Sequence, residues 1–187
     1  MDGILGGYSV FFDLPYQTAW KRYNHKKFWN VIIHFVTAWL AVRPLLSIPG
    51  ILFPTFVNIF FILIIITTCV VQDLTLGALF STVYIVIALY SLSIETTLLS
   101  AFFTLSLILG FQIVMGHYVV EKEQPILSEK QGDAVYTGLT IMNSLFLEPF
   151  HFSVLVLMRA NLLPDLQWRS DLQLKRIMEH LGGKKSP

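Results

Sequence analysis

The sequence predicts an all-α fold: a polytopic membrane helix bundle with four or five transmembrane helices and an interfacial C-terminal helix. Two observations predict this class. Of the 187 residues, 55% are hydrophobic and 13% are charged, whereas about a quarter of the residues of a soluble domain are charged. The charges also avoid the middle of the chain, because residues 28–120 contain only Arg43, Asp73 and Glu95 as charged residues.

The middle of the chain consists of four long apolar runs, which we expect to cross the membrane. They occupy residues 28–48, 51–71, 76–92 and 97–120. Each approaches the roughly 20 residues that a helix needs to cross about 30 Å of hydrocarbon. The linkers between them are short, and short linkers make neighbouring helices antiparallel. The spans should therefore pack as one bundle, within a single membrane domain that covers residues 1–187.

The first linker, at Pro49 and Gly50, is expected to end the first helix, and the next two lie at Asp73 and Glu95.

Lysines and arginines flank the four spans on one predicted side, while the loops on the other side carry none apart from Arg43. Cytoplasmic flanks are enriched in such residues. Both termini are therefore expected in the cytosol, with residues 1–27 as a cytosolic N-terminal segment. The flanking residues are Lys21, Arg22, Lys26, Lys27, Lys122 and Lys130.

The region after the fourth span, residues 121–163, permits two interpretations. Residues 136–163 are apolar enough to enter the bilayer, but Glu148 and Arg159 bring charge into this stretch. Charge at membrane depth is costly, and Pro149 removes a helical hydrogen bond. We favour a re-entrant or interfacial helix pair, and the alternative is a fifth crossing.

The last segment, residues 164–187, is predicted to form a cytosolic amphipathic helix. Gly182 and Gly183 are expected to end it, and Trp168 suits the headgroup region of a membrane. The final four residues, KKSP, have the form of a cytosolic dilysine retrieval signal. This ending points to the endoplasmic reticulum membrane.

Three histidines are predicted to meet at the cytosolic end of the bundle. At about 1.5 Å of rise per residue, His34 lies roughly 9 Å and His117 roughly 5 Å below that end. His25 precedes His34 by nine residues, so one unbroken helix would point their rings in opposite directions. A shared metal site therefore requires the first helix to begin after His25, with Asn24 as a cap or turn residue.

Two polar residues are expected to assist these histidines. Asn30 and His34 are four residues apart and share a helix face, so Asn30 is expected to orient the His34 ring. His117 and Glu121 share a face for the same reason. Because imidazole and carboxylate are both ligand types for a hard or borderline metal, the pattern predicts a metal site.

Two segments that contain these residues resemble a known family. YNHKKFWNVIIH and GFQIVMGHYVVEKEQPIL are similar to the paired signatures of the fungal endoplasmic-reticulum 2-hydroxy fatty acid dioxygenase family, which acts in phytosphingosine breakdown. Three positions depart from that pattern: Gln112 lies one residue further from the Gly-His pair, Tyr118 replaces a small residue, and Ile126 replaces an alanine. The matching residues are Tyr23, His25, Asn30, His34, Gly116, His117, Glu121, Lys122 and Pro125.

The resemblance implies an Fe(2+)-dependent enzyme of the bilayer that acts on a 2-hydroxy fatty acid and O₂. Such an acid, with O₂, gives the acid one carbon shorter, CO₂ and water, so no reductase is required. Glu121 is implied either as a further ligand or as the catalytic base, and these alternatives stay open. The implied ligands are His25, His34 and His117; the implied neighbours of the ligands are Tyr23, Asn30 and Gln112; and Lys26 and Lys122 are implied to attract the substrate carboxylate.

Other function classes need features that this sequence lacks. A zinc metalloprotease would carry His-Glu-x-x-His, which is absent. By family resemblance, membrane di-iron desaturases need about eight clustered histidines, and this chain has five. No nucleic-acid partner is expected, and the oligomeric state stays open. The remaining alternative is a non-catalytic membrane-shaping or scaffold protein, in which the histidines would be incidental.

Overall fold

The computed structural model describes residues 7–123 and 133–182, and within these ranges it is helical with no strand. A short 3₁₀ helix, Gly7–Phe12, precedes seven α-helices, and a π-helix, Gln112–Glu121, continues directly from the fifth of them. The α-helices are α1 Leu14–Asn24, α2 Phe28–Leu52, α3 Thr55–Gln72, α4 Leu74–Ser93, α5 Leu98–Phe111, α6 Ala134–Arg159 and α7 Pro164–Gly182. The predicted all-α membrane bundle is confirmed.

The four predicted spans correspond to α2, α3, α4 and the continuous rod of α5 with the π-helix. The first boundary was predicted wrongly, because Pro49 and Gly50 lie inside α2 and the connection falls at Phe53 and Pro54. Pro49 lies in the last turn of α2, and its carbonyl accepts a hydrogen bond from the Phe53 N–H at 2.9 Å, so the helix continues past it.

Helices α3 and α4 form a tight hairpin around one residue, Asp73. This residue ends α3 and caps α4, since its Oδ1 accepts hydrogen bonds from the N–H groups of Thr75 at 3.0 Å and Leu76 at 2.9 Å. Gly77 lies directly against the Cys69 carbonyl, and a Cβ at this position would overlap it. The absence of a side chain therefore lets the two helices approach closely.

The two polar helices at the ends of the chain pack against each other. On α1, Arg22 forms an ion pair of 2.6 Å with Asp171 of α7, and the Thr18 hydroxyl donates to Ser170 at 3.2 Å. The predicted amphipathic helix is therefore present as α7, which ends at Gly182. The predicted cap Gly183 and the KKSP motif lie outside the described residues.

Helix α6 is one continuous helix with Pro149 in its interior, so the expected helix pair is wrong. Five helices of the described chain, α6 included, are long and apolar enough to cross a membrane. The two ends of α6 contact the segments that directly precede and follow α1. Tyr136, near its start, packs against the 3₁₀ helix, and Arg159, its last residue, donates to the His25 carbonyl at 3.3 Å.

Candidate metal centre

The α1–α2 connection, helix α2 and the π-helix bring His25, His34 and His117 together. Helix α1 ends at Asn24 and α2 begins at Phe28, so His25 lies in the non-helical connection that the sequence required. His34 follows in the second turn of α2, and His117 comes from the π-helix. Asn24 is the last residue of α1 and does not cap α2, because the N-cap of α2 is Lys27.

The three imidazoles form a compact, buried cluster. The ring centroid of His25 lies 4.1 Å from that of His34 and 5.0 Å from that of His117, and the third separation is 5.2 Å. One ring nitrogen of each lies within 4.8 Å of the other two. Since a nitrogen binds zinc at about 2.0–2.1 Å, two ligands of one ion are at most roughly 4.2 Å apart. The nitrogens are therefore near the separation that one ion requires, and the three residues form a candidate metal site.

One nitrogen of the cluster is buried and has no hydrogen-bond partner in the protein, the Nε2 of His34. Gly116 lets the His34 ring and the Asn30 side chain lie directly against the π-helix. A Cβ built on Gly116 would lie 3.0 Å from His34 Nε2 and 2.5 Å from the Asn30 Oδ1. Leaving a buried polar atom unpaired costs about 1–3 kcal/mol. An unpaired buried nitrogen beside two further imidazoles is therefore suited to binding an ion.

A carboxylate fixes the protonation of His34. Its Nδ1 lies 3.0 Å from Glu148 Oε1, and an ionised carboxylate only accepts hydrogen bonds, so the proton belongs on Nδ1 and the lone pair on Nε2. Carboxylate–histidine pairs of this kind orient metal-binding imidazoles. Sequence reasoning missed this role of Glu148, although a carboxylate inside an apolar segment was the signal that could have revealed it.

Gln112, which the resemblance implied as a neighbour of the ligands, lies beside His34. Its Nε2 donates to Glu148 Oε2 at 3.2 Å. Its contact of 2.8 Å with His34 Nδ1 is not a hydrogen bond while that nitrogen carries the proton, because both groups are then donors. Its Oε1 accepts a hydrogen bond of 2.8 Å from the Thr37 hydroxyl. The amide is therefore held on both sides and keeps the Glu148 carboxylate in place.

The π-helix explains how Gln112 and His117 face the same side. In an α-helix, residues five apart point about 140° away from each other. The i→i+5 bonding of the π-helix widens each turn, and both side chains are buried. The extra residue between Gln112 and the Gly-His pair is thus accommodated by a wider helix rather than by moving Gln112 away from the site.

Asn30 orients His25 and not His34, which corrects the predicted pairing. Its amide nitrogen lies 2.9 Å from His25 Nδ1 and donates to Glu121 Oε1 at 3.1 Å. A half-turn of the amide would set its oxygen against the Glu121 carboxylate, so it is the NH₂ group of Asn30 that faces His25 Nδ1. Burial lowers the pKa of His25 well below its ordinary value, and the charges of His34 and Lys21 lower it further. His25 is therefore neutral near pH 7, as a ligand must be.

Glu121 does not lie among the ligand atoms of the cluster, so the structure does not support its predicted role as a metal ligand. Its Oε1 accepts hydrogen bonds from the Lys27 N–H at 2.8 Å and from Asn30. Helix α2 begins without a side-chain cap from its own N-cap residue. Glu121 therefore ties the start of α2 to the end of the π-helix and holds Asn30 beside His25.

Three predicted residues are not brought to the cluster. The Tyr23 ring stacks on Trp20, with centroids 5.9 Å apart. Lys26 forms an ion pair of 2.8 Å with Glu123, and its side chain is 56% exposed. Lys122 is exposed and adopts a left-handed conformation, with a φ of 62°, where the π-helix ends. The predicted carboxylate-binding lysines thus point to solvent.

A cavity of about 560 Å³ adjoins the histidine cluster. All three histidines line it, as do Lys21 and Glu148, whereas Glu121 does not. The other walls are mainly apolar or aromatic and come from α5, the π-helix and α6. They include Leu109, Ile113, Tyr118, Ile141 and Leu145. The cluster is therefore accessible to a ligand of substantial size, which Glu121 would not contact.

The fold and the site define a class: a multi-pass helical membrane protein with three buried histidines next to an apolar cavity. No protein-family model matches the chain, and no curated protein or solved structure matches it either. Imidazole ligands suit zinc, copper, iron and nickel. The donor set therefore fits a transition metal and does not select one of them.

Proposed function

We propose that this protein is an Fe(2+)-dependent dioxygenase that converts a 2-hydroxy fatty acid to the fatty acid one carbon shorter. The observation that carries this proposal is the unpaired, buried Nε2 of His34 beside His25 and His117, three residues that line one cavity. The resemblance of the two histidine motifs to 2-hydroxy fatty acid dioxygenases supports iron and the substrate class. We further propose the endoplasmic reticulum membrane as the location, with both termini cytosolic.

In this proposal His25, His34 and His117 hold the ion. Bound Fe(2+) would supply adjacent positions for the two reactants and the capacity to pass electrons between them. The reaction balances without another reductant: the hydroxy acid gives four electrons and O₂ takes four. Per turnover, R–CH(OH)–COOH and O₂ become R–COOH, CO₂ and H₂O.

The residues around the histidines hold the site in one arrangement. Glu148 keeps the proton of His34 on Nδ1 and so leaves Nε2 free for the ion. Asn30 and Glu121 hold His25 from the other side. The apolar residues of the cavity would accept the first part of an acyl chain and keep water away from the reacting carbon. The proposal therefore gives Glu121 a positioning role and not that of a base.

The direct test is product analysis with purified protein. The protein is incubated with Fe(2+), O₂ and 2-hydroxyhexadecanoic acid, and the acids are analysed by mass spectrometry. We expect pentadecanoic acid, its amount equal to the CO₂ released, and no product when a chelator removes the iron. An absence of pentadecanoic acid from iron-loaded protein would overturn the proposal and favour the scaffold alternative, which needs no metal.

A further inference from the structure

A lysine is buried in the wall of the cavity. Lys21, on α1, is 5% exposed, and its Nζ donates a hydrogen bond of 3.1 Å to the Ser144 hydroxyl. The nearest carboxylate oxygen, Glu148 Oε1, is 3.9 Å away. An ammonium group has three N–H donors, and burying its charge is costly unless an anion compensates it. Lys21 therefore has donor capacity directed into a cavity.

Glu148 compensates this charge only in part. Its two carboxylate oxygens make their short contacts with other groups, the His34 Nδ1 at 3.0 Å and the Gln112 amide at 3.2 Å. The distance to Lys21 exceeds that of a charge-assisted hydrogen bond, which is about 2.7–2.9 Å. Burial accordingly lowers the pKa of Lys21, and the Glu148 charge offsets only part of that effect. A second anion in the cavity would stabilise the ammonium group.

The rest of the cavity is suited to a hydrocarbon chain. Leu109 and Ile113 form one wall, and Ile141 and Leu145, on α6, form the other. Ile113 is 46% exposed and Ile141 is 44% exposed, both on helices long and apolar enough to span a membrane. The cavity thus has a cationic group inside and apolar side chains at its outer edge. Its volume of about 560 Å³ is in the range of small-molecule sites, roughly 300–1,000 Å³.

We propose that the cavity binds a long-chain carboxylic acid, with the carboxylate on Lys21 and the acyl chain between the π-helix rod and α6. This inference rests on the proposed function for the identity of the acid, and it moves the carboxylate-binding role from the exposed Lys26 and Lys122 to Lys21. Lys21 and the three histidines line the same cavity, so an acid held at Lys21 presents the carbon next to its carboxylate to the histidines.

The test uses a ligand that cannot react. Metal-free protein in detergent is titrated with hexadecanoic acid, which lacks the 2-hydroxyl group, and with methyl hexadecanoate, which has the same chain without the charge. A hydrogen bond to a charged group is worth about 1.5–3 kcal/mol, so we expect the wild type to prefer the acid by roughly 10- to 100-fold. Lys21→Met should reduce this preference to within about twofold, while Lys21→Arg should keep most of it.

Lys26→Met is the matched control, because it removes a lysine that points to solvent, and it should keep the wild-type preference. A wild-type protein that binds acid and ester equally, or a folded Lys21→Met that still prefers the acid tenfold, would overturn the proposal. Because the protein is metal-free and neither ligand reacts, this result is independent of the dioxygenase reaction. If the product assay failed, the proposal that Lys21 binds a carboxylate would be unaffected.

A second measurement needs no variant and so does not depend on how well Lys21→Met folds. Wild-type protein is treated with an amine-specific label in the presence and absence of hexadecanoic acid, and the labelling rate of each lysine is read by mass spectrometry. The acid should slow labelling of Lys21 by about fivefold or more, given the protection expected from a tightly held carboxylate. The labelling rate of Lys26 should not change. If the acid slowed the labelling of both lysines equally, or of neither, the proposed binding of the carboxylate at Lys21 would be contradicted.

Discussion

The histidine end of the bundle and the α3–α4 hairpin are built from different kinds of contact. Around the histidines, Asn30, His34, Gln112 and Glu148 are all buried and share hydrogen bonds. In the hairpin, apolar side chains point outward, as Phe56 does with 71% of its surface exposed. In the most apolar stretch of each helix, 56% of the residues of α2 are buried but only 17% of those of α3.

The two regions differ in the kind of polar group that they bury. Buried polar groups are expensive when they are not fully paired, and near the histidines several are concentrated with one nitrogen left unpaired. The hairpin also buries two polar atoms without a partner, Asn58 Oδ1 and Ser81 Oγ, but it buries no histidine or carboxylate among the described residues. Close packing at Gly77 holds its helices together, and lipid can cover the apolar exterior. We infer that the histidine end serves binding and chemistry and that the hairpin anchors it.

Removal of a histidine should have the largest effect on turnover. His25→Ala, His34→Ala and His117→Ala should each lower the rate of product formation by at least about 10³-fold, since the ion would lose one of three ligands. Membrane insertion should be unchanged. His180→Ala on α7 is the control and should be fully active. Wild-type activity in two of the three variants would contradict the proposal that these three histidines bind the ion.

A methyl group in the cluster should have the next largest effect. Gly116→Ala places a Cβ 2.5 Å from Asn30 Oδ1 and 3.0 Å from His34 Nε2, so both side chains would have to move and the arrangement of the cluster would change. We expect activity to fall by roughly 10²-fold, in keeping with a loss of about 3 kcal/mol. In Gly110→Ala, one and a half turns away on the same rod, the added Cβ meets no heavy atom of the described chain within 4 Å. Equal activities of these two variants would contradict the assignment of Gly116.

Glu121→Gln should have a smaller effect, because the structure makes Glu121 a positioning residue. Replacing a charged acceptor of two hydrogen bonds weakens the tie to Lys27 and Asn30 by about 1.5 kcal/mol, and we expect activity to fall about tenfold. Iron should remain bound at the wild-type level, as elemental analysis would measure. A parallel loss of iron and activity would instead identify Glu121 as a ligand.

A change in the hairpin should have the smallest effect on the chemistry. Gly77→Ala would push α3 and α4 apart at Cys69 and should cost roughly 1–3 kcal/mol of stability, as overpacking does. Thermal unfolding in detergent should therefore begin at a lower temperature, while the folded fraction keeps its activity within about twofold. Gly138→Ala, whose Cβ meets no described heavy atom within 4 Å, should unfold like the wild type. A large loss of activity per folded molecule would show that the two regions are coupled.

The features that sequence could predict depend on composition and on residue separation. Apolar runs identified the four spans, and helix rise placed His34 and His117 at similar depth, because both arguments need only local geometry. The break in the helix after His25 was required by a nine-residue separation. These inferences do not depend on how distant segments pack.

The features that sequence could not predict depend on tertiary contacts. The π-helix depends on how Gln112 and His117 pack against α2, and the pairing of Asn30 with His25 depends on the path of the α1–α2 connection. Glu148 comes from α6, a segment whose position relative to the histidines no periodicity reveals. Lys21 lies one turn before His25 in sequence, but its contact with Ser144 of α6 depends on tertiary packing. Pro49 and Gly50 predict a helix end, but α2 continues through them to Leu52.

The most direct test of the account is the metal content of the histidine cluster. Wild-type protein, His34→Ala and His180→Ala are loaded with Fe(2+) without oxygen, desalted and measured by elemental analysis. Because a buried site with three preorganised ligands binds one ion, we predict about one iron per chain in the wild type and in His180→Ala. His34→Ala should retain less than about a tenth of that amount. Wild-type iron content in His34→Ala would contradict the central claim that the three histidines form a metal centre.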